Sequence, residues 1–577
     1  MTRRRPALAL CVLIAACAAL PASAATQPIR SRTGIVVCEE RLAARAGADV
    51  LREGGNAVDA AVATAFALAV TMPKAGNLGG GGFMVTRTAE GDVAAFDFRE
   101  MAPAASRADM WLTDGAYDKA KHHDSIFSVG VPGTVAGLHL AWREGGTLPW
   151  ARLLRPAIAL AREGIPVTSQ LARDLIEVWP EMQKDAASVR QFSRDGAKPL
   201  DAGDTLRQPD LARTLERISR KGPKEFYEGE TAGLIVAGMK AAGGPITRED
   251  LAAYEAKRRT PVRGTYRGLD VIGMPPPSSG GTAVIEILNI LEGWDLKEGA
   301  GGYGSALAVH RMSEAMRRAF ADRARVMGDP DFNPGIPVAK LLSKEYAAEL
   351  RKGVAADKAS VSSPAQAGTA YPFLPEPAHT THLSVVDKAH NAVSLTCTLE
   401  DLWGSKITVP GAGFLLNNEM GDFNAAPGLT DEAGKIGTPP NVAAPRKRML
   451  SSMSPTILAK NGRLFMVTGS PGGRSIINTV VETIVNVVDF GMNAQEAVDV
   501  PRFHHQWLPD RILMERPGLS TDTRALLGRM GHTVAETNDY QGVAAVIVVD
   551  AAGAWLEGAQ DRRNADSAAA VPEPARP

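Results

Sequence analysis

The stretch His379-Thr380-Thr381-His382-Leu383-Ser384-Val385-Val386-Asp387-Lys388-Ala389-His390-Asn391-Ala392-Val393-Ser394-Leu395-Thr396-Cys397-Thr398 decides the fold. Its strand-forming runs, Leu383 to Asp387 and Ala392 to Thr398, flank the turn signal Asp387-Lys388-Ala389-His390-Asn391, the pattern of a β-hairpin. With the turn centred on Ala389, Thr380 lies opposite Thr398. Opposed residues place their Cβ atoms about 5 Å apart, within reach of a hydroxyl–hydroxyl contact. Threonine pairs are common in strands for their β propensity alone, so this one gains meaning only from its surroundings.

Working outward, Asp357 to Pro377 is polar and rich in Ala, Ser and Pro, the composition of a mobile linker. Towards the N-terminus the pattern predicts a strand at Gly34 to Cys38 and helices at Glu40 to Glu53 and Ala57 to Thr71. The second helix is apolar almost all round and hence buried. The turn Asn77-Leu78-Gly79-Gly80-Gly81-Gly82-Phe83 leads into Met84 to Thr86, with Val93 to Phe98 as its hairpin partner. Leu148 to Tyr346 reads as mostly helical, including Thr282 to Leu291 and an amphipathic run from His310 to Asp322. Beyond Thr398 come strands at Leu464 to Thr468 and Ala544 to Val549, helices at Ile476 to Phe490 and Thr521 to Met530, and a tail, 567–577, expected to be disordered. Strands flanked by helices on both sides of Thr380 predict one α/β body built from both parts of the chain.

Composition narrows the function classes. The 577 residues carry 64 basic and 64 acidic side chains, a formal charge of zero. Nucleic-acid binders usually carry a basic surplus, so that class is excluded, and 45% hydrophobic with 22% charged residues excludes wholesale disorder. Arg3, Arg4 and Arg5 precede an uncharged apolar run from Ala7 to Leu20, shorter than a spanning helix, and Ala22-Ser23-Ala24 follows. This is a signal-peptide pattern over residues 1–24, which makes the mature protein periplasmic or secreted. A competing reading takes Ile14-Ala15-Ala16-Cys17 as a lipobox, which would anchor the protein to the envelope membrane through Cys17. Cleavage after Ala24 leaves only Cys38 and Cys397, too few for a disulfide framework and read as two buried thiols in preference to one opportunistic disulfide.

Several residues point to chemistry. Thr468-Gly469-Ser470-Pro471-Gly472-Gly473 follows a strand and precedes a helix, so its N–H groups suit an anion nest or oxyanion hole. Arg474-Ser475 then departs from a phosphate-loop continuation. Arg99 with the hydroxyls of Ser451 and Ser452 suits a carboxylate, and Glu419 with Asp422 suits an ammonium; together they make a receptor for an amino acid. His504-His505 and His122-His123 lack metal-ligand spacing. His310, Glu314 and Arg318 sit at helical spacing, as on a solvated or salt-bridged face, and Gly79 to Gly82 reads as close packing near the site.

These motifs, with Gly54-Gly55-Asn56-Ala57-Val58-Asp59-Ala60-Ala61 and Phe503-His504-His505-Gln506-Trp507-Leu508-Pro509, resemble the γ-glutamyltranspeptidase family over nearly the whole mature chain. The resemblance implies a four-layer αββα sandwich of the N-terminal-nucleophile hydrolase type. It implies a self-processing precursor cut between His379 and Thr380 into a large subunit, 25–379, and a small catalytic subunit, 380–577. Thr380 would be the nucleophile with its own α-amine as base, Thr398 its hydroxyl partner, and Gly472 and Gly473 the oxyanion hole. Arg99, Ser451 and Ser452 would clamp the substrate α-carboxylate, and Glu419 and Asp422 the α-amine. Glutathione and related γ-glutamyl amides would be the donors, water, amino acids or peptides the acceptors, with neither cofactor nor metal.

Two departures bear on the substrate. Glu400 stands where the family often has Asn in the α-amino clamp, and it could strengthen ammonium binding, bind a neighbouring basic residue, or reshape the subsite. The lid-like loop from Asn424 to Pro440 lacks the Tyr found at its tip in some members. A glutaryl-amide acylase on the same scaffold, or a non-catalytic envelope binding protein, are the alternatives. Removal of residues 1–24, which takes Arg3, Arg4 and Arg5, and division at Thr380 turn the neutral chain into a large part, 25–379, with 44 basic and 43 acidic residues and a small one with 17 and 21.

Overall fold

The computed structural model describes residues 26–366, 380–425 and 437–572. Fourteen strands form its two main sheets: β1 (Ile29–Ser31), β2 (Gly34–Cys38), β3 (Gly81–Arg87), β4 (Val93–Phe98), β5 (Lys257–Arg259), β6 (Val262–Tyr266), β7 (Leu269–Gly273), β8 (Thr380–Asp387), β9 (Ala392–Thr398), β10 (Thr456–Lys460), β11 (Arg463–Gly469), β12 (Ala545–Val549), β13 (Leu556–Ala559) and β14 (Ala568–Ala570). The first sheet runs β14-β2-β8-β9-β3-β4-β5 and the second β1-β13-β12-β11-β10-β7-β6. Both take strands from before and after Thr380, as the sequence suggested.

Alternation along the strands assigns the layers. Ile35 and Val37 of β2 join Phe83, Val85, Ile457, Val467 and Ile547 between the two sheets. Val36 and Cys38 face the other way with Leu383, Val385 and Leu395, onto α1 (Arg41–Arg52) and α2 (Ala57–Thr71). On the outer face of the second sheet, Val271, Leu458 and Met466 meet α3 (Gly280–Leu291), α4 (Ala306–Val326) and α5 (Ser475–Val488). The result is the αββα sandwich.

The helix α2 forms where its alanines predict it. Asn56 caps it reciprocally with Asp59, and the Asp387 carboxylate accepts from the Ala57 N–H at 3.1 Å, a favourable charge for a helix N-terminus. That contact ties the hairpin turn after β8 to the helical layer.

Leu148 to Tyr346 is mostly helical as expected, with strands added, and two further expectations need correction. The stretch read as mostly helical contains β6 and β7, joined through Arg267 and Gly268, both at positive φ. The tail expected to be disordered from Ser567 contains β14, whose alanines pair with Val36, Val37 and Cys38 of β2. A sheet edge supplies hydrogen bonds that three alanines could not supply themselves. The early part of the presumed mobile linker is tethered: Ala359 N–H donates to Met530 O at 2.7 Å and Ser362 N–H to Asp510 at 2.7 Å. Its remainder, His379, the leader and Cys17 lie outside the described residues. Cys38 and Cys397 are free and buried. No helix among the described residues is long and apolar enough to cross a membrane.

Candidate active site

β8 and β9 pair in the expected register, Thr380 opposite Thr398 and Val386 opposite Ala392. Thr380, His382 and Ser384 share the face of β8 turned towards the second sheet. His382 bonds Thr396 through Nδ1 at 2.8 Å and Ser384 through Nε2 at 3.1 Å, and Ser384 donates to Ala545 O at 2.9 Å. Burial lowers the His382 pKa to about 3, so the ring is a neutral strut between the sheets. A Cβ at Gly469 would fall 2.2 Å from it, which is why glycine ends β11 there.

At the mouth of this layer the Thr380 hydroxyl donates to the Thr398 hydroxyl at 3.5 Å, and Thr398 Oγ1 accepts the Glu400 N–H at 2.8 Å. The glycine run supplies the floor. Gly81 pairs with Thr398, Asn77 donates to Thr398 O at 2.9 Å, and a Cβ on Gly80 would meet that oxygen at 2.1 Å. Gly472 and Gly473 follow β11 with φ of 133° and 54° and open into α5.

Arg99, fully buried after β4, reaches across to the second half of the chain. It donates to Glu419 and to Asp422, and also to Met449 O at 3.2 Å and Leu450 O at 3.1 Å. Those carbonyls belong to the segment that carries Ser451 and Ser452. Ser451 Oγ accepts the Met453 N–H at 3.1 Å, and Ser452 Oγ accepts from Arg323 at 2.8 Å. Arg99, Thr380, Thr398, Glu400, Glu419, Asp422, Ser451, Ser452 and Gly473 all line one cavity of about 370 Å³; Gly472 lies just beyond it.

The electrostatics are those of a charge-dense pocket. Burial disfavours the charged form of Arg99, but Glu419 and Asp422 outweigh it and hold the guanidinium charged. Burial raises the Glu100 carboxyl to about 7 and that of Glu419 well above the carboxylate range, with Arg99 opposing both. Glu100, Arg323 and His123 were not singled out as site residues. Glu100 was visible beside Arg99, whereas nothing in the local sequence of α4 marks Arg323. Glu400 sits at a φ of 78°, and its carboxylate lies 3.4 Å from His123 Nδ1. Of the three roles open to Glu400, contact with a neighbouring basic residue is the one seen. Residues 426–436 of the lid-like loop lie outside the described part, while its base is pinned by Asn424 donating to Thr438 O at 2.6 Å.

The His504-His505 pair is hydrogen-bonded. His504 holds Asn478 and Gln506, and His505 faces Asp510 at 3.2 Å. His310, Glu314 and His532 cluster, but Glu314 is taken up by Arg317, Arg318 and Ser360, and His310 by His532 and Ala355 O. The face read as solvated or salt-bridged is salt-bridged and buried.

The Gamma-glutamyltranspeptidase family model matches residues 43–571. The chain belongs to the γ-glutamyltranspeptidase family. The glutathione hydrolase proenzyme of Escherichia coli (strain K12) is 47% identical over 540 residues, covering 93% of this chain and 92% of that protein. Among solved structures, cephalosporin acylase from Bacillus halodurans superposes with a TM-score of 0.83 at 29% identity, covering 96% of this chain and 98% of that one. The Helicobacter pylori γ-glutamyltranspeptidase superposes with a TM-score of 0.54 at 45% identity, covering 55% of this chain and 91% of that one. In this γ-glutamyltranspeptidase-family chain the Glu400–His123 contact lies beside the acids of the pocket.

Proposed function

We propose that the protein is a self-processing γ-glutamyl hydrolase and transferase acting on glutathione and related γ-glutamyl amides. The observation that carries this reading is the single cavity holding a threonine hydroxyl, a hydroxyl partner, an arginine and two carboxylates. A γ-glutamyl group brings an α-carboxylate for Arg99, Ser451 and Ser452 and an α-ammonium for Glu419 and Asp422. Each charged group of the pocket then exchanges one ionic partner for another, so desolvation is compensated, and a substrate lacking either charge strands a buried partner. This is the feature that favours a γ-glutamyl over a glutaryl donor.

Cleavage between His379 and Thr380 gives large and small subunits, 25–379 and 380–577, and frees the Thr380 α-amine. That amine takes the hydroxyl proton as Oγ1 attacks the γ-carbonyl carbon, and Gly472 and Gly473 stabilise the oxyanion. The amine component leaves with the proton. Water or an acceptor amino acid or peptide then opens the γ-glutamyl ester. The leader at 1–24 directs the precursor to the periplasm or outside, unless Cys17 is lipidated.

N-terminal sequencing of the smaller fragment and assay of glutamate release from glutathione test the reading. A small fragment starting at Thr380 and glutamate release are expected. An intact single chain that still releases glutamate sinks the mechanism.

A further inference from the structure

Two cavities meet at Thr380. The first holds the acid and arginine clamp and reaches Gly473; the second, of about 1460 Å³, reaches Thr380 and Gly472 and shares only Thr380 with the first. An acyl carbon on Thr380 Oγ1 has its chain in the first cavity and its oxygen at the glycine pair. The remaining direction, taken by the departing or arriving amine, opens into the second.

The charge of that groove is uneven. Its two cations are engaged: Lys74 donates to Asp174 at 2.5 Å, and Arg563 is bonded to Glu515 and Asp561. Glu177 and Asp539 are exposed and form no ion pair with a described residue. Glu39, buried in the wall, has its pKa raised by burial to about 7, so it adds negative charge at the alkaline pH where amines are nucleophilic. Tyr540, 61% exposed, offers a ring face to a cation. No cation of the lining is left to receive a carboxylate.

We infer that this groove is the amine-side subsite and that it selects acceptors carrying a cationic group besides the reacting amine, such as arginine-bearing peptides and polyamines. The inference rests on the proposed γ-glutamyl transfer. In the transfer step the uncharged amine nitrogen bonds to the ester carbonyl carbon, the bond from that carbon to Thr380 Oγ1 breaks, and the amine's proton passes to Oγ1. The second cationic group meanwhile faces Glu177, Asp539 and Glu39.

The test uses the processed full-length protein with glutathione as donor and equal concentrations of argininamide and norleucinamide, at about pH 9. The readout is the ratio of the two γ-glutamyl products within each enzyme. In the wild type the arginine product should lead by about three- to ten-fold. The lead should shrink towards parity in about 0.5 M salt and in Glu177→Lys/Asp539→Lys, with Glu177→Gln/Asp539→Asn intermediate. A wild-type ratio at or below parity, or one unchanged in both double variants, overturns the inference and leaves donor hydrolysis standing. Failure of the wild type to release glutamate in water overturns the proposed function and this inference together.

Discussion

The hydroxyl of Thr380 points at that of Thr398 across the β8–β9 ladder, 3.5 Å apart, while the Glu400 N–H occupies an acceptor position of Thr398 at 2.8 Å. The backbone therefore fixes the orientation of the second threonine before any substrate arrives. The contact is at the outer limit of a hydrogen bond; once the Thr380 proton passes to the α-amine its direction reverses, and the Thr398 O–H donates to the charge developing on Thr380 Oγ1. Thr398→Ala should slow both chain cleavage and turnover by about 10- to 100-fold, the worth of one bond to a developing charge. Thr398→Ser should restore most of both. Densitometry of precursor and fragments over time, beside a glutamate assay, checks this; processing at the wild-type rate in the alanine variant would refute it.

Arg99 pairs with both Glu419 and Asp422. Arg99→Leu removes a charge from a fully buried site and leaves carboxyls facing one another. A loss of about 3–5 kcal/mol in stability is expected, seen as a lowered thermal midpoint, together with collapse of kcat/KM for glutathione. Arg99→Lys keeps the charge but not the fork that spans two carboxylates and two carbonyls. Its stability should recover more than its KM.

The hairpin and the helices beside it were legible because local pattern and tertiary fate agree there. Turn residues at Asp387 and Asn391 set the register, and an apolar α2 has no alternative to burial. The strands β6 and β7 were not legible because their turn is Arg267-Gly268 rather than Asn-Gly, although both central residues take positive φ. β14 was invisible because its hydrogen bonds come from β2, more than 500 residues earlier in the chain. In the site, the residue types suited to an amino acid could be named, but Arg323 on Ser452 and His123 on Glu400 are products of folding that no spacing encodes.

Gly472 tests the oxyanion assignment. Its φ of 133° is unsuited to a side chain, and a Cβ there would lie 2.6 Å from Ser475 Oγ and 3.2 Å from Gly542 Cα. Gly472→Ala should rotate the peptide that presents its N–H to the oxyanion, lowering kcat by about 10²- to 10³-fold. A strain cost of about 1–3 kcal/mol should accompany it. Steady-state kinetics on processed protein separates this from a folding defect, and an unchanged kcat would remove Gly472 from the hole.

Glu400 is held in a strained backbone conformation. At a φ of 78° asparagine is tolerated better than glutamate, so Glu400→Asn should fold at least as well as the wild type. It removes the carboxylate facing His123. Donor KM should then rise a few-fold if Glu400 also contributes to holding the ammonium, with kcat little altered. A KM at or below the wild-type value would assign Glu400 to His123 alone.

Glu39 gives a pH-dependent stability of definite sign. Its carboxyl titrates near 4.5 when exposed and at about 7 in the folded chain, because burial outweighs the favourable effects of Lys74, Thr381 and the His382 N–H. The folded state therefore binds the proton more tightly than the unfolded one. The stability this confers is fully present below pH 4.5 and is lost as pH rises through about 7. The shift corresponds to about 3 kcal/mol. Glu39→Gln keeps an oxygen for the His382 N–H, 3.3 Å away, and cannot ionise. Because every other titrating group is common to both proteins, the difference in their unfolding free energies isolates Glu39. Denaturant unfolding at a series of pH values should show the variant gaining on the wild type between pH 4.5 and 7, and remaining ahead above it. Parallel curves for the two proteins would mean that the Glu39 carboxyl titrates alike in the folded and unfolded chains, and that burial does not govern its proton.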